Sequence, residues 1–564
     1  MRISAGVPSR SFDIAAALQE AAGLHRQGRL REAEKLYARV LKAAPQNFDA
    51  LHLSGLCHAQ SGRMGEAFRL ISAALKVNAQ AADAWLNLAN VLHALKRETE
   101  TLSALDKALA LRPGDPDALC NRGNALLALN RAQEALACFD QLLTREPRHA
   151  AALLGRGTAR AALGETVQAL ADFDAALAVA PGHAGALYNR GNALLDLGRY
   201  EEALAAYDAA LRAAPANTKA WNNRGRAQQA LNRHADALGS FQQAIAQQQD
   251  YADAHFNAAL SRLTLGDYAR GFADYEWRWK RSGMSDPRRN YRGALWLGEY
   301  PLAHRTVLLH AEQGLGDSVQ FARYVPLLAR TGATVRLEVQ PALTDLFARL
   351  SGAASVHARG EALPAYDVHC PLGSLPLALK TTLESVPAEI PYLQAHETRL
   401  AKWRPLVEGL EGKRVALVWA GNPAHANDRN RSIDVSLLAP LLAVDGVSFI
   451  GLQRDLRAGD ADFLARHPQV INIGPGLADL ADTAAVLALC DLLLTVDTAA
   501  VHLAGALGRA AWVLLPFAPD WRWTMQAERS PWYPQARLFR QPAPGDWASV
   551  VATVRDALAA LFAL

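Results

Sequence analysis

Three stretches in the second half of the chain hold residues that can do chemistry. The first is HAEQGLGDSVQFARY, His310 to Tyr324. An apolar strand ends there, Gly314 and Gly316 permit a tight turn, and a helix begins near Asp317. Backbone amides at such a helix start can face an anion or a substrate hydroxyl. Asp317 can cap that helix or serve as a general base. The stretch is not a complete dinucleotide fingerprint, because Val319 stands where the third glycine of GxGxxG would fall. The second stretch is VWAGNPAHANDRNRSID, Val418 to Asp434. A strand runs into a polar loop with Asn422, His425, Asp428, Arg429 and Arg431. The planar fork of Arg431 suits phosphate oxygens; a solvated surface loop is the alternative. The third is DLLLTVDTAAVHLAGALGRAAWVLLP, Asp491 to Pro516. A buried strand ends at Asp497, Thr498 can cap the next helix, and His502 lies one turn along it. Ala504, Gly505 and Ala506 let that helix pack closely on a sheet, and its start suits a diphosphate. A lone His502 can equally be a core residue. Its place after Asp497 and Thr498 at a strand end is what points to a site.

These stretches need strand ends to position them. Short apolar runs alternate with helical patterns from residue 286 on. The predicted strands are 306–310, 334–339, 414–420, 448–453, 470–474, 492–497 and 511–516. Such alternation predicts parallel sheets covered by helices, with ligands at the carboxyl ends of the strands. The span suits two lobes, 286–400 and 401–564. A basic, aromatic junction (WRWKRSGMSDPRRNYRGALWLGEY) precedes them and reads as a packed linker. Asn422 and Gln453 both fall at strand ends.

The first half is periodic. Pro113, Pro147, Pro181 and Pro215 recur every 34 residues. A small-residue series (Gly55, Ala89, Gly123, Gly157, Gly191, Gly225, Ala259) keeps the same period. So do a turn series (Gly28, Gly62, Asn130, Gly164, Gly198, Asn232, Gly266) and an aromatic series (Tyr37, Phe139, Phe173, Tyr207, Phe241, Tyr275). Each unit predicts two amphipathic helices around a left-handed turn, too small to bury its own face, so that units must stack. This pattern resembles the tetratricopeptide repeat, with eight units over 14–285, the third departing from it at Thr101 and Leu105. Asn87, Asn121, Asn189, Asn223 and Asn257 share one repeat position, with Gly155 as the gap, and Asn90, Asn124 and Asn192 follow three residues later. An amide both donates and accepts, which suits an extended peptide backbone of any sequence. The column is similar to the asparagine ladder of O-GlcNAc transferases; the alternative is that these amides bridge neighbouring repeats.

Composition narrows the classes. With 564 residues, roughly 150 per domain predicts several domains. At 51% hydrophobic and 20% charged residues, extensive disorder is excluded. A net charge of +4 offers no general electrostatic case for nucleic acid. No apolar run is long enough to span a membrane. The five scattered cysteines, with no CxxC pair, predict free thiols and a cytoplasmic location.

DTAAVHLAGALG resembles the D-[ST]-x-x-x-H-[LI]-A-x-A-[LF] signature of heptosyltransferase-like glycosyltransferases with the GT-B fold. GLGD is similar to that family's first-loop Gly-Asp, and RSI at 431–433 falls where it carries a basic, donor-facing residue. The WAGNPAHANDRNRSID and APDWRW segments are similar to a subgroup in which repeat arrays are fused to this module. The likeness covers roughly 300–564, and the first lobe is short for the fold. It implies an α-solenoid followed by an α/β two-lobed Rossmann-type module. The implied activity is inverting transfer from a nucleotide-diphosphate sugar, with no metal and no cofactor. Asp317 would then be the base. Gly314, Gly316, Asn422, Arg431, Gln453, Asp497, Thr498 and His502 would meet the donor, and the asparagine column the peptide. The expected partners are a polypeptide acceptor in the repeat groove and a nucleotide sugar, without nucleic acid or a membrane span, homo-oligomerisation being left open. The rival readings are a glycan or lipid transferase whose repeats serve assembly, and a non-catalytic repeat scaffold.

Overall fold

The computed structural model describes residues 12–281, 291–312, 314–425, 427–525 and 527–562. It divides into two compact units, Met1–Pro215 and Ala216–Leu564. The end of the eighth repeat at 285 and the expected lobe boundary at 286 lie outside the described residues.

Sixteen α-helices follow one another from Ile14–Arg26 to Tyr268–Tyr275, two to each repeat. The turn between the paired helices takes positive φ in every repeat, at Gly28, Gly62, Asn130, Gly164, Gly198, Asn232 and Gly266. In the third repeat that position is Lys96, at φ 61°. Its Thr101 and Leu105 are buried all the same, so the departure in sequence leaves the helix pair intact. The small-residue column is steric. A β-carbon on Gly191 would come within 2.6 Å of the Tyr207 ring, and one on Gly225 within 2.4 Å of Phe241. The rings of Phe139, Phe173, Tyr207 and Phe241 on the second helices thus lie on the bare backbone of the first. Burial of such a ring stabilises the pair by about 1.5–3 kcal/mol. Gly155, the gap in the asparagine column, has the same origin: the Phe139 ring lies 2.4 Å from where its β-carbon would be.

Successive repeats of the first unit are also tied by ion pairs that the periodicity did not suggest. Arg122, Arg156 and Arg190, one residue past the asparagine column, donate to Asp106, Asp140 and Asp174 at 2.8, 3.0 and 2.6 Å. Being open to solvent, each contributes at most about 1 kcal/mol.

The second unit holds the last two repeats and two parallel sheets. The first sheet has β1 (Ala294–Leu295), β2 (Thr306–His310), β3 (Thr334–Val339), β4 (Ala353–Ala358) and β5 (Val368–Pro371), in the order β1-β5-β2-β3-β4. The second has β6 (Lys413–Val418), β7 (Val447–Gly451), β8 (Val470–Asn472), β9 (Leu492–Val496), β10 (Ala511–Leu515) and β11 (Ala536–Arg540), in the order β11-β10-β9-β6-β7-β8. All seven strands expected from sequence are present; β1, β4, β5 and β11 are additional. Each order reverses direction once, between β2 and β5 and between β6 and β9. Such switch points open a crevice at the carboxyl ends of the strands.

Within this unit the eighth repeat is built into the first sheet's crevice. Arg278, only 4% exposed, donates to both Glu312 carboxylate oxygens at 2.7 and 2.8 Å and to the Ser374 hydroxyl at 2.7 Å. Glu312 follows β2 and Ser374 follows β5, so the guanidinium fills the switch point. Tyr268 and Phe272 of the same repeat pack on Trp521 and Trp532, and the Trp532 indole donates to the Tyr268 hydroxyl at 3.0 Å. Of the basic, aromatic junction, Trp277 stacks on His255 at 3.8 Å and Trp296 is buried; residues 282–290 of it lie outside the described residues.

Candidate active site

The carboxyl ends of the two sheets face one another. The loop after β2 enters the helix Leu315–Phe321, two residues earlier than the sequence suggested, with Gly314 at its N-cap. Asp317 is in that helix's first turn, and its carboxylate turns back toward Gly314. Gly316 lies against the second sheet's helix Ala499–Ala506: a β-carbon there would meet His502 Cδ2 at 2.8 Å and Ala499 Cα at 3.4 Å. The two glycines therefore serve close approach, one to the Asp317 carboxylate and one to the opposite lobe.

The second sheet's switch point is spanned by Arg431, which donates from Nη1 to the Asp497 carbonyl at 3.0 Å. The loop after β6 thereby joins the loop after β9. Arg431 also lies against Gly421, where a β-carbon would come within 2.5 Å of the guanidinium. Among the described residues its Nε has no hydrogen-bond partner, although Asp428 is 3.6 Å away. Asp428 itself is buried and pairs with Arg457 and Ser432.

The acidity of Asp497 is altered by its surroundings. Burial, reinforced by the Asp520 charge, raises its pKa to about 6, with Arg522 and Arg431 acting in the opposite sense. Burial raises the Asp317 pKa too, while Arg522 opposes the shift. The Asp317 side chain nevertheless keeps 44% of its surface open, as a proton acceptor at a cleft mouth must. His425, on the loop after β6, has its pKa lowered by burial and by Arg431.

Several sequence expectations change in role. Thr498 occupies the N-cap position of Ala499–Ala506, but its hydroxyl faces the Thr495 hydroxyl at 3.2 Å and caps nothing. His502 is 5% exposed, within 3.2 Å of the Tyr533 hydroxyl through Nδ1 and stacked on Trp523 at 5.8 Å. Burial and the nearby Arg522 and Arg323 hold it well below the usual imidazole range, so it is a neutral packing and hydrogen-bonding group between the lobes. Gln453 is buried with its amide engaged, accepting from Ala420 N–H at 3.1 Å and donating to the Asp455 carbonyl at 3.2 Å. Asn422 is exposed and closes an Asx turn with Ala424 N–H at 2.9 Å. The structure thus gathers Asp317, Arg431, Asp497 and Thr498 around the facing crevices and gives Gln453 and Asn422 loop-shaping bonds.

One prominent group carried no role in the sequence reading. Arg522, on the loop after β10, donates to Asp317 at 2.6 Å, to Gln320 at 2.5 Å and to Asp520 at 2.8 Å. The only local signal was an arginine between two tryptophans shortly past a strand.

The asparagine column is half-buried. In the first unit Asn87 meets His52 at 3.1 Å, Asn121 donates to Asn90 at 2.9 Å, and Asn189 donates to Thr158 at 3.3 Å. In the second unit Asn257 donates to Asn222 at 2.9 Å, and Asn223 accepts from Asn222 at 3.1 Å. The bridging alternative therefore holds for Asn87, Asn121, Asn189 and Asn257, using one of the four bonds each amide can make. A small pocket in the first unit is lined by Asn90, Asn121 and Asn124 with Ala89, His93 and Thr101. Among the described residues no group of three or more His, Cys, Asp or Glu is arranged to hold a metal ion, and no helix is long and apolar enough to cross a membrane.

Two family models match the chain, both in its repeats. A family model described as Tetratricopeptide repeat matches residues 120–176, 158–218 and 222–287. A second, described as Anaphase-promoting complex, cyclosome, subunit 3, matches 26–108. The chain carries a tetratricopeptide-repeat array. Protein FlbA of Caulobacter vibrioides is 29% identical over 336 residues, 55% of each chain, so the chain spans about half the length of this curated relative. Among solved structures, a tetratricopeptide repeat protein from Parabacteroides merdae is 18% identical, with TM-score 0.38, covering 44% of this chain and 98% of that one. YrrB, described as a TPR protein with an unusual peptide-binding site, is 22% identical, with TM-score 0.29, over 33% of this chain and 95% of its own.

Proposed function

We propose that the chain is an inverting, metal-independent glycosyltransferase that moves a sugar from a nucleotide-diphosphate donor to a polypeptide held by the repeats. The observation that carries this reading is the approach of the loop that bears the open carboxylate Asp317 to the helix Ala499–Ala506, Gly316 lying against His502 and Ala499, where Arg431 bridges to the Asp497 carbonyl just ahead of that helix. The donor diphosphate would lie at Arg431 and the amides after Thr498, where a helix start and a guanidinium both favour anions. Asp317 would take the proton of the acceptor hydroxyl as that oxygen attacks the anomeric carbon. The new glycosidic bond forms with inversion as the bond from that carbon to the diphosphate oxygen breaks, and the nucleoside diphosphate departs as an anion. The likeness of DTAAVHLAGALG to the glycosyltransferase signature supports the same reading. The building of the eighth repeat into the first sheet favours a polypeptide acceptor over a free glycan, because it fixes the asparagine column of the last two repeats relative to Asp317.

The direct test is a panel of nucleotide sugars assayed for thermal stabilisation of the full chain, since a ligand that binds the native state raises its melting temperature by mass action. Stabilisation by one nucleotide sugar, lost in Arg431→Ala, is the expected result. No stabilisation by any of them would leave the repeat-scaffold alternative.

A further inference from the structure

Arg522 is 8% exposed, and its guanidinium serves both lobes. It spends Nη2 on Asp317 and Nε on Gln320 of the first lobe, and Nη1 on Asp520 of its own loop. Its planar face lies on the Trp521 ring at 4.4 Å. The next residue, Trp523, stacks on His502 of the helix Ala499–Ala506, so this loop crosses the same helix that Arg431 approaches through the Asp497 carbonyl. The charge of Arg522 acts on both Asp497 and His502. The guanidinium therefore lies on the carboxylate that would accept a proton, in a loop packed against the helix whose start would hold a diphosphate. Its one charged partner among the described residues of the first lobe is a single carboxylate, Asp317, whereas a diphosphate offers more charge and a geometry that the guanidinium fork matches.

We propose that Arg522 is a second arginine ligand of the donor diphosphate and that, before the donor arrives, it holds Asp317: donor binding draws the guanidinium from Asp317 to the phosphates and releases Asp317 to accept the acceptor's proton. This inference rests on the transferase reading above. Asp520 and Gln320 keep the arginine in place through the exchange, so the movement is a change of one partner. Ordering of the steps follows, because Asp317 gains its full basicity only when a leaving group is present.

The experiment uses the full chain, its Arg522→Gln and Arg522→Lys variants, and ADP, CDP, GDP and UDP as probes, by titration calorimetry in buffers of different ionisation enthalpy. The diphosphate that binds the parent should bind Arg522→Gln about tenfold to a hundredfold more weakly, since charge-assisted bonds are lost, and Arg522→Lys should recover part of the affinity. Removing the cation from Asp317 raises its pKa, so the parent should take up more protons on binding than Arg522→Gln does. Unchanged affinity in Arg522→Gln, or equal proton uptake, overturns this inference while leaving the transferase reading intact. Should Arg522→Gln fail to fold, Arg522→Lys is read the same way: affinity and uptake equal to the parent's overturn the inference. If none of the four diphosphates binds the parent, the transferase reading fails and this inference with it.

Discussion

Gly316 and His502 lie in contact across the two sheets: a β-carbon on the glycine would sit 2.8 Å from the imidazole Cδ2 and 3.4 Å from the Ala499 backbone. His502 is pinned from its other side by Tyr533, and Gly505 on the same helix accepts the Tyr533 ring where a β-carbon would come within 2.1 Å. The approach of the first-loop glycine thus depends on a fully packed partner. Gly316→Val should cost about 1–3 kcal/mol through overpacking and abolish nucleotide-dependent stabilisation. Gly239→Ala is the control, because it lies within the helix His234–Gln247 with nothing within 4 Å, and it should stabilise slightly. Paired melting curves of the two variants check this; equal, small effects would mean that the lobes can move apart at no cost.

The asparagine column should serve binding beyond its bridging bonds. Replacing Asn189, Asn223 and Asn257 by Ala should raise the acceptor KM at least tenfold with little change in donor affinity. Asn189 also bonds Thr158, so Thr158→Val, which removes that bridge and the hydroxyl's bond to the Leu154 carbonyl but leaves the column in place, separates the two roles. Its acceptor KM should match the parent's. A triple variant with unaltered polypeptide binding and an intact fold would reduce the column to a structural device.

Asp497 should leave a signature in stability. Its native pKa, raised to about 6 by burial and Asp520, lies above that of an unfolded carboxyl. A carboxyl raised in this way favours the folded state while protonated, an advantage present below the unfolded pKa and lost as pH rises through about 6. Between pH 4 and 7 the parent should therefore lose about 1–3 kcal/mol relative to Asp497→Asn, which stays neutral. Denaturant unfolding of both proteins at pH 4.5, 6 and 7.5 measures this. Parallel pH dependences would show that Asp497 ionises freely.

How much of this could be read from the chain alone differs by element. β2 and β3 are legible because TVLLH and TVRLEV are apolar and β-branched, and the repeats because their steric needs recur at a fixed period. β4, β5 and β11 escape notice because AASVHA, VHCP and ARLFR carry small, polar or basic residues where a buried run is sought. Asp317 and Arg431 are visible at strand ends, where chemistry is expected. Arg522 is not, since its meaning comes from Asp317 and Gln320, each about two hundred positions away. His502 reads as a ligand in sequence, but Gly316 from the other sheet and Tyr533 from a later loop bury it. The gap at Gly155 is a packing demand of Phe139, a relation between helices of different repeats that a residue column does not display.

The most direct test of the transferase mechanism is turnover by Asp317→Asn. The amide matches the carboxylate in shape but cannot take a proton. With the nucleotide sugar that stabilises the parent and a polypeptide acceptor, the variant should bind the nucleotide within a few-fold of the parent and lose about a hundredfold or more in kcat. Turnover by Asp317→Asn at the parent's rate would contradict the assignment of Asp317 as the base.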